Sequence, residues 1–401
     1  MTQSIPAIVL GSGITPLGVL RVLRRAGIPS YVAQSSDPLL RRSRWYRPLP
    51  GPDVQRKDET VESWLERLPF ERAVLMPCSD RWITRIAELP PQCRNRFPVS
   101  VSEPQVLRSL VDKGTFAKSV KEIGIPHPYS KVLDTHDDLI DIPDRVFDAA
   151  ILKPRNSQSF QERFGTKAFH VRGRQEVAER LQAIRAEGLD AIVQEYIPGP
   201  AKHHYFVDGF VDRHGRVRGL LVRARQRMYP VDFGNSTSMI SVVPGAAAQA
   251  VESIQQLLTN IGYRGIFSAE FKLDARDGMF KIIEVNARPW WYVDFTARCG
   301  VDVCSMAYSD ALGQDVPSVD TYQIGRRLVY PYADFFACVA MRRRGELSLW
   351  SWFRSWFGAT QPVFQWSDPL PAAAGAVEIL TAFFRRRLAR LSPRSALQPP
   401  Q

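Results

Sequence analysis

The chain has 401 residues, 45% hydrophobic and 23% charged, which suits two or three domains with a substantial core. Its net charge of +12 points to an anionic partner, whether nucleic acid, membrane surface or substrate, and nine arginines against three acids from Met341 onward put half of that excess in the tail. No apolar run reaches the ~18 residues of a membrane helix, no signal-peptide pattern precedes the first strand, and the five cysteines form no C-x-x-C pair, so a cytoplasmic protein with reduced, buried thiols is expected.

Residues 7–33 read as strand (Ala7–Leu10), turn (Gly11, Gly13, Gly18), helix with the apolar stripe Leu17, Leu20, Leu23 and Ala26, and strand (Ser30–Ala33). Pro16 stands where a dinucleotide fingerprint needs its third glycine, and Gln34 and Ser35 stand where it needs an acid, which argues against NAD. A helix over Val61–Leu68, a strand over Ala73–Met76, a helix over Asp80–Leu89 capped by Ser79 or Asp80, and a short strand over Pro98–Val101 continue a parallel α/β pattern.

Two helical pieces occupy residues 104–125, with Lys113 early in the second. Ala150–Leu152 is a buried strand that ends on Lys153 and Pro154, followed by the polar loop RNSQSFQERFGTK. By themselves both lysines read as surface residues. A helix over Arg174–Glu187 leads to a strand over Ala191–Ile197, which stops at Pro-Gly-Pro. A hairpin follows over His204–Val211 and Arg216–Arg223. At its end and just beyond it, Arg223 or Arg227 could hold a carboxylate bidentately, against the alternative of exposed basic strand positions. Ala246–Ile261 is a helix stopped at Gly262.

The central stretch is Gly265–Pro289, two strands joined by a turn through Asp274, Asp277 and Gly278. Phe267, Ala269, Phe271 and Leu273 share one face of the first strand, and Ser268, Glu270 and Lys272 the other. Glu284, Asn286 and Arg288 alternate along the second, so a hairpin brings Glu270 beside them. Two carboxylates and an amide oxygen are hard ligands suited to Mg²⁺, with Mn²⁺ an alternative.

E-x-N-x-R on a late strand, with a Glu on the preceding one, resembles the ATP-grasp superfamily, a group that includes D-alanine–D-alanine ligase, biotin carboxylase, carbamoyl phosphate synthetase and D-aspartate ligase. The run from Glu284 to Gly313 is similar to the ATP-dependent carboligases of that superfamily. The resemblance covers residues 1 to about 315. It implies an α/β protein with a Rossmann-like lobe (1–105) and an ATP-grasp domain (106–315), whose small lobe spans about 125–196 and large lobe about 197–315. A basic helical extension (316–401) follows, with Ala376–Leu391 helical and the end disordered from about Ser392.

On this resemblance Asp112, Lys113 and Phe116 match the D-K-x-x-F element, whose lysine meets nucleotide phosphate. Lys153 is the second phosphate lysine, ahead of a mobile loop that holds fewer glycines than the family's, with Ser157, Ser159 and Lys167 around Gly165. Gln194, Glu195 and Ile197 match the hinge that holds adenine and ribose. Glu270, Glu284 and Asn286 carry the metal, and Arg288 steadies the transferring phosphoryl group. The implied reaction is ATP-dependent ligation of a carboxylate to an amine, or a similar nucleophile, through an acylphosphate. The rivals are a carboxylase of the same fold and a non-catalytic ATP-binding regulatory or tethering protein. Small-molecule substrates are the expected partners and a homodimer the default state. No nucleic-acid motif is present. The Trp/Arg-rich extension is read as packing on its own domain, with an interfacial membrane contact as the alternative.

Overall fold

The computed structural model describes residues 4–33, 37–51, 59–134, 137–155, 163–164, 166, 168–231 and 234–376. Gln34 and Ser35, the expected mobile loop at positions 156–162, 165 and 167, nearly all of the helix expected over Ala376–Leu391, and the tail from Ser392 lie outside the described residues.

Strands β1 (Ala7–Leu10), β2 (Ser30–Val32) and β3 (Val74–Pro77) form a parallel sheet in the order β2-β1-β3. Every residue of β1 is buried, as a parallel strand covered on both faces requires. Ala7 and Val9 pack against the helix Ile14–Arg25 and against Val293–Arg298 and Val303–Ala311, which arrive from far along the chain. Ile8 and Leu10 pack against Trp64, Leu65, Ile86 and Phe97. The strand expected over Pro98–Val101 is not regular. Pro98 has no N–H to donate; its carbonyl accepts from Leu75 N at 2.9 Å, and Val101 makes only an isolated bridge to Gly265. That bridge needs glycine: φ at Gly265 is +103° and a Cβ would lie 3.0 Å from the Ser100 carbonyl oxygen.

The second sheet is antiparallel: β4 (Ser130–Leu133), β5 (Ala150–Pro154), β6 (Phe169–Val171) and β7 (Ala191–Glu195) run in the order β4-β7-β5-β6. The helix Gly173–Ala186 lays Val177, Leu181 and Ile184 over one face.

The third sheet comprises β8 (His204–Val211), β9 (Val217–Tyr229), β10 (Asn235–Val242), β11 (Gly265–Asp274), β12 (Met279–Asn286) and β13 (Arg327–Val329) in the order β12-β11-β8-β9-β10-β13. The helix Ala248–Asn260 buries Ile254 and Leu257 against Phe267, Ala269 and Phe271 on one face. Two departures from the sequence expectation sit here. β9 runs on to Tyr229 and pairs with β10, so the hairpin is a three-stranded meander. Residues past 315 also join this sheet, since β13 pairs with β10.

Two buried aspartates fasten the C-terminal segment. Asp334 accepts from Arg227 at 2.8 Å on each oxygen, from Thr237 Oγ1 at 2.8 Å, and from the indole N–H groups of Trp352 and Trp356 at 2.8 and 3.1 Å. Asp368 accepts from Arg21 Nε at 3.0 Å, Ser43 Oγ at 2.7 Å and Arg44 N at 2.9 Å, which ties the segment to the N-terminal lobe.

Candidate functional site

The pairing of β11 with β12 sets Glu270 opposite Glu284 and Ser268 opposite Asn286. Directly paired residues have Cβ atoms about 4.5–5.5 Å apart, so the two carboxylates the sequence singled out stand side by side. Glu270 Oε1 accepts from Arg225 Nη2 at 3.0 Å and lies 2.7 Å from His204 Nδ1. Burial pushes the Glu270 carboxyl up, but Arg225 and His204 outweigh it and hold the group well below the ordinary carboxylate range. Burial and Arg225 lower His204 to about 4. The neutral ring therefore donates its Nδ1–H to the carboxylate.

Glu284 is exposed and begins a chain of polar contacts along the strand. Its Oε1 accepts from Asn286 Nδ2 at 3.3 Å, and Asn286 Oδ1 accepts from Arg288 at 3.3 Å. Arg288 reaches across to Asp80 at 2.7 and 3.2 Å. Burial disfavours the Arg288 charge, yet Asp80 and Glu284 raise its pKa above the ordinary value.

Two ammonium groups share the field of this row, Lys153 from strand β5 of the small sheet and Lys113 from a helix. Lys153 donates to Gln194 Oε1 at 2.7 Å, and Gln194 Nε2 donates to Ser130 Oγ at 3.1 Å. Burial lowers the Lys153 pKa while Glu284 and Glu270 pull it back up, so amine and carboxylates share one field. Lys113 is the first residue of the helix Lys113–Ile123, whose cap is the Asp112 carboxylate accepting from Thr115 N at 2.8 Å. Its Nζ donates to the Pro154 carbonyl at 3.2 Å. Burial and then Lys153 lower Lys113 to about 8. A cation at a helix N-terminus opposes the helix dipole. Burial, the like charge of Lys153 and the dipole disfavour the Lys113 charge, Glu284, Asp80 and Asp112 offset only part of this, and an anion between the lysines would offset more.

The residues fit a divalent cation in one way only. Among the described residues no cluster of three His, Cys, Asp or Glu side chains forms a protein cage. Glu270, Glu284 and the Asn286 amide instead offer a partial set of hard oxygens, suited to an Mg²⁺ that draws its other ligands from water and substrate phosphates.

Other expected positions fall elsewhere. Glu195 lies on the opposite face of β7 from Gln194 by strand alternation. Its carboxylate contacts Arg276 at 2.8 Å, Arg145 at 3.3 Å and Tyr129 N at 3.3 Å. Ile197 is buried. Of the three hinge positions only Gln194 turns its side chain toward Lys153. Arg223 is fully buried on Asp208 at 2.8 Å, between the rings of Phe206 and Tyr292, and Arg227 is spent on Asp334. Neither guanidinium opens onto a substrate carboxylate. Arg225, which contacts Glu270, is the member of this series that reaches the site. The i, i+2 spacing of the three arginines on one strand was the signal that could have found it.

No family model matches the chain. It is 26% identical over 327 residues to a D-aspartate ligase of Enterococcus faecium (strain Aus0004), which spans 76% of each protein. Its structure is similar to the biotin carboxylase domain of the Hydrogenobacter thermophilus 2-oxoglutarate carboxylase, solved with MgADP, ADP and bicarbonate (TM-score 0.60, 17% identity, 81% of this chain and 74% of that one). It is also similar to the L-amino acid ligase from Bacillus licheniformis (TM-score 0.55, 15% identity, 78% and 75%). The chain has the ATP-grasp fold, as its E-x-N-x-R strand implied.

Proposed function

We propose that the chain is an ATP-dependent ligase that forms a C–N bond between a small carboxylate and an amine. The observation that carries this reading is the opposition of Lys113 and Lys153, both with lowered pKa, to the register pair Glu270 and Glu284. Two crowded, half-buried ammonium groups beside two carboxylates make a site for a polyanion with its counter-cation. The D-aspartate ligase relative, matched over most of both chains, supports a carboxylate–amine reaction.

In this reading Lys113 and Lys153 hold the ATP phosphates and Gln194 fixes the Lys153 ammonium. A divalent cation held by Glu270, Glu284 and Asn286 would supply charge neutralisation across the phosphates. A substrate carboxylate oxygen attacks the γ-phosphorus, the bond to ADP breaks, and an acylphosphate forms. The amine then attacks the acyl carbon, phosphate leaves, and the amine's proton passes to solvent. Arg288 places positive charge beside the transferring group, and no side chain acts as a nucleophile.

The test is phosphate release from MgATP with carboxylates and amines offered singly and in pairs, D-aspartate among them. Release that requires a pair is expected, with the coupled product seen by mass spectrometry. Release driven by bicarbonate and a single acceptor would replace the ligase with a carboxylase.

A further inference from the structure

The helix Leu349–Arg354 and the turn after it turn polar anchors inward and apolar side chains outward. Trp352 and Trp356 give their indole N–H groups to buried Asp334. Trp350, Phe353 and Phe357 recur at i, i+3 and i+7 on the outer side and are 73%, 56% and 69% exposed. The Phe353 and Phe357 rings lie 5.7 Å apart. The preceding helix Pro331–Arg343 also exposes Phe335, Phe336 and Val339. Such a stripe on a helix is ordinarily polar when it faces water, and a cluster of exposed aromatic side chains marks an interaction site.

The charge around these rings selects the partner. Arg342, Arg343, Arg344 and Arg354 are exposed, while Glu346 is the exposed acid on these two helices and their connection. Beside Phe357 lies an open hollow of about 460 Å³, lined also by Ile324, Arg326 and Arg327. A second copy of the chain would bring the same arginines against this rim and repel it. Anionic phosphates at an apolar boundary complement both the rings and the rim.

We propose that this face docks on an anionic lipid bilayer, with Trp350, Phe353 and Phe357 at the acyl boundary and Arg326 and Arg327 at a lipid phosphate. Sedimentation of the full-length protein with phosphatidylcholine vesicles, with and without phosphatidylglycerol, tests it. Binding is expected only with phosphatidylglycerol. It should weaken about tenfold in the combined variant Trp350→Ser, Phe353→Ser, Phe357→Ser, and by a smaller factor in Arg326→Gln, Arg327→Gln. Thermal unfolding midpoints should match the wild type, because the substituted side chains are exposed. Three results would overturn the proposal. One is no sedimentation with phosphatidylglycerol, which would favour an acidic protein partner. Another is equal sedimentation of the aromatic variant, which would place binding elsewhere, residues 377–401 included. The last is a wild-type dimer that becomes monomeric in the aromatic variant without any vesicle binding.

Discussion

Arg288 and Asp80 close the N-terminal lobe onto the carboxylate end of the large sheet, with the guanidinium donating to both oxygens at 2.7 and 3.2 Å. Asp80 is the first residue of its helix, where the backbone dipole favours a carboxylate. It therefore aims Arg288 from a fixed point without standing in the row of candidate ligands. Asp80→Asn should leave the unfolding midpoint nearly unchanged, since the pair is partly exposed. Turnover should fall about tenfold in kcat with little change in KM for ATP, and Asp80→Glu should recover part of it. An unchanged kcat in Asp80→Asn would remove Asp80 from the positioning of Arg288.

Glu284 is exposed and owes nothing to the core. Glu284→Gln should lower Mg²⁺-dependent phosphate release by about 100-fold and leave the denaturation curve in place. Equal turnover by the variant at saturating Mg²⁺ would refute the metal assignment.

Lys113 titrates near 8 in the folded chain, below its ordinary 10.5, because burial and Lys153 disfavour its charge. Between those two values the unfolded chain holds more protons on this group, so its contribution to stability rises with pH across that window. Phosphate binding runs the other way, since it needs the protonated amine. ATP affinity measured by calorimetry should weaken as pH rises through 8, and Lys113→Gln should bind weakly with that dependence gone. A wild-type affinity that stays flat across this range would mean that Lys113 does not meet phosphate.

Asp334 neutralises Arg227, and the pair is buried. Asp334→Ala leaves an unpaired guanidinium under two tryptophans and should cost about 3–5 kcal/mol in urea denaturation. Arg227→Met combined with Asp334→Ala should recover much of that loss. A loss near zero in the single variant would show that the extension is held by its apolar contacts alone.

The carboxylate row was legible because strand alternation is local. Once Gly265–Pro289 reads as a hairpin, the side on which Glu270, Glu284 and Asn286 stand follows from parity, and register then pairs Glu270 with Glu284. The arginine series was misread for the opposite reason. Asp208, Glu270 and Asp334 lie 15, 45 and 107 residues from the arginines they neutralise, and nothing local marks Arg223, Arg225 and Arg227 as buried. Near the end of β9, Arg227 meets Asp334 from beyond β13, a contact that no local pattern announces. Glu195 adds a smaller case: the hinge motif fixes its position along β7, while parity turns its carboxylate away from Gln194, to Arg276 and Arg145.

The clasp between Arg21 and Asp368 has a consequence for synthesis. Arg21 lies in the first helix, and the carboxylate that neutralises it stands 347 positions later. At about 5–20 residues per second, a ribosome needs roughly 17–70 s to deliver that carboxylate after the arginine has emerged. Through that interval the nascent N-terminal lobe carries a guanidinium at a site that burial will later close. The lobe is made first and completed last, so a chain released early, before Asp368, would keep its opening helix but lack the latch that seats it.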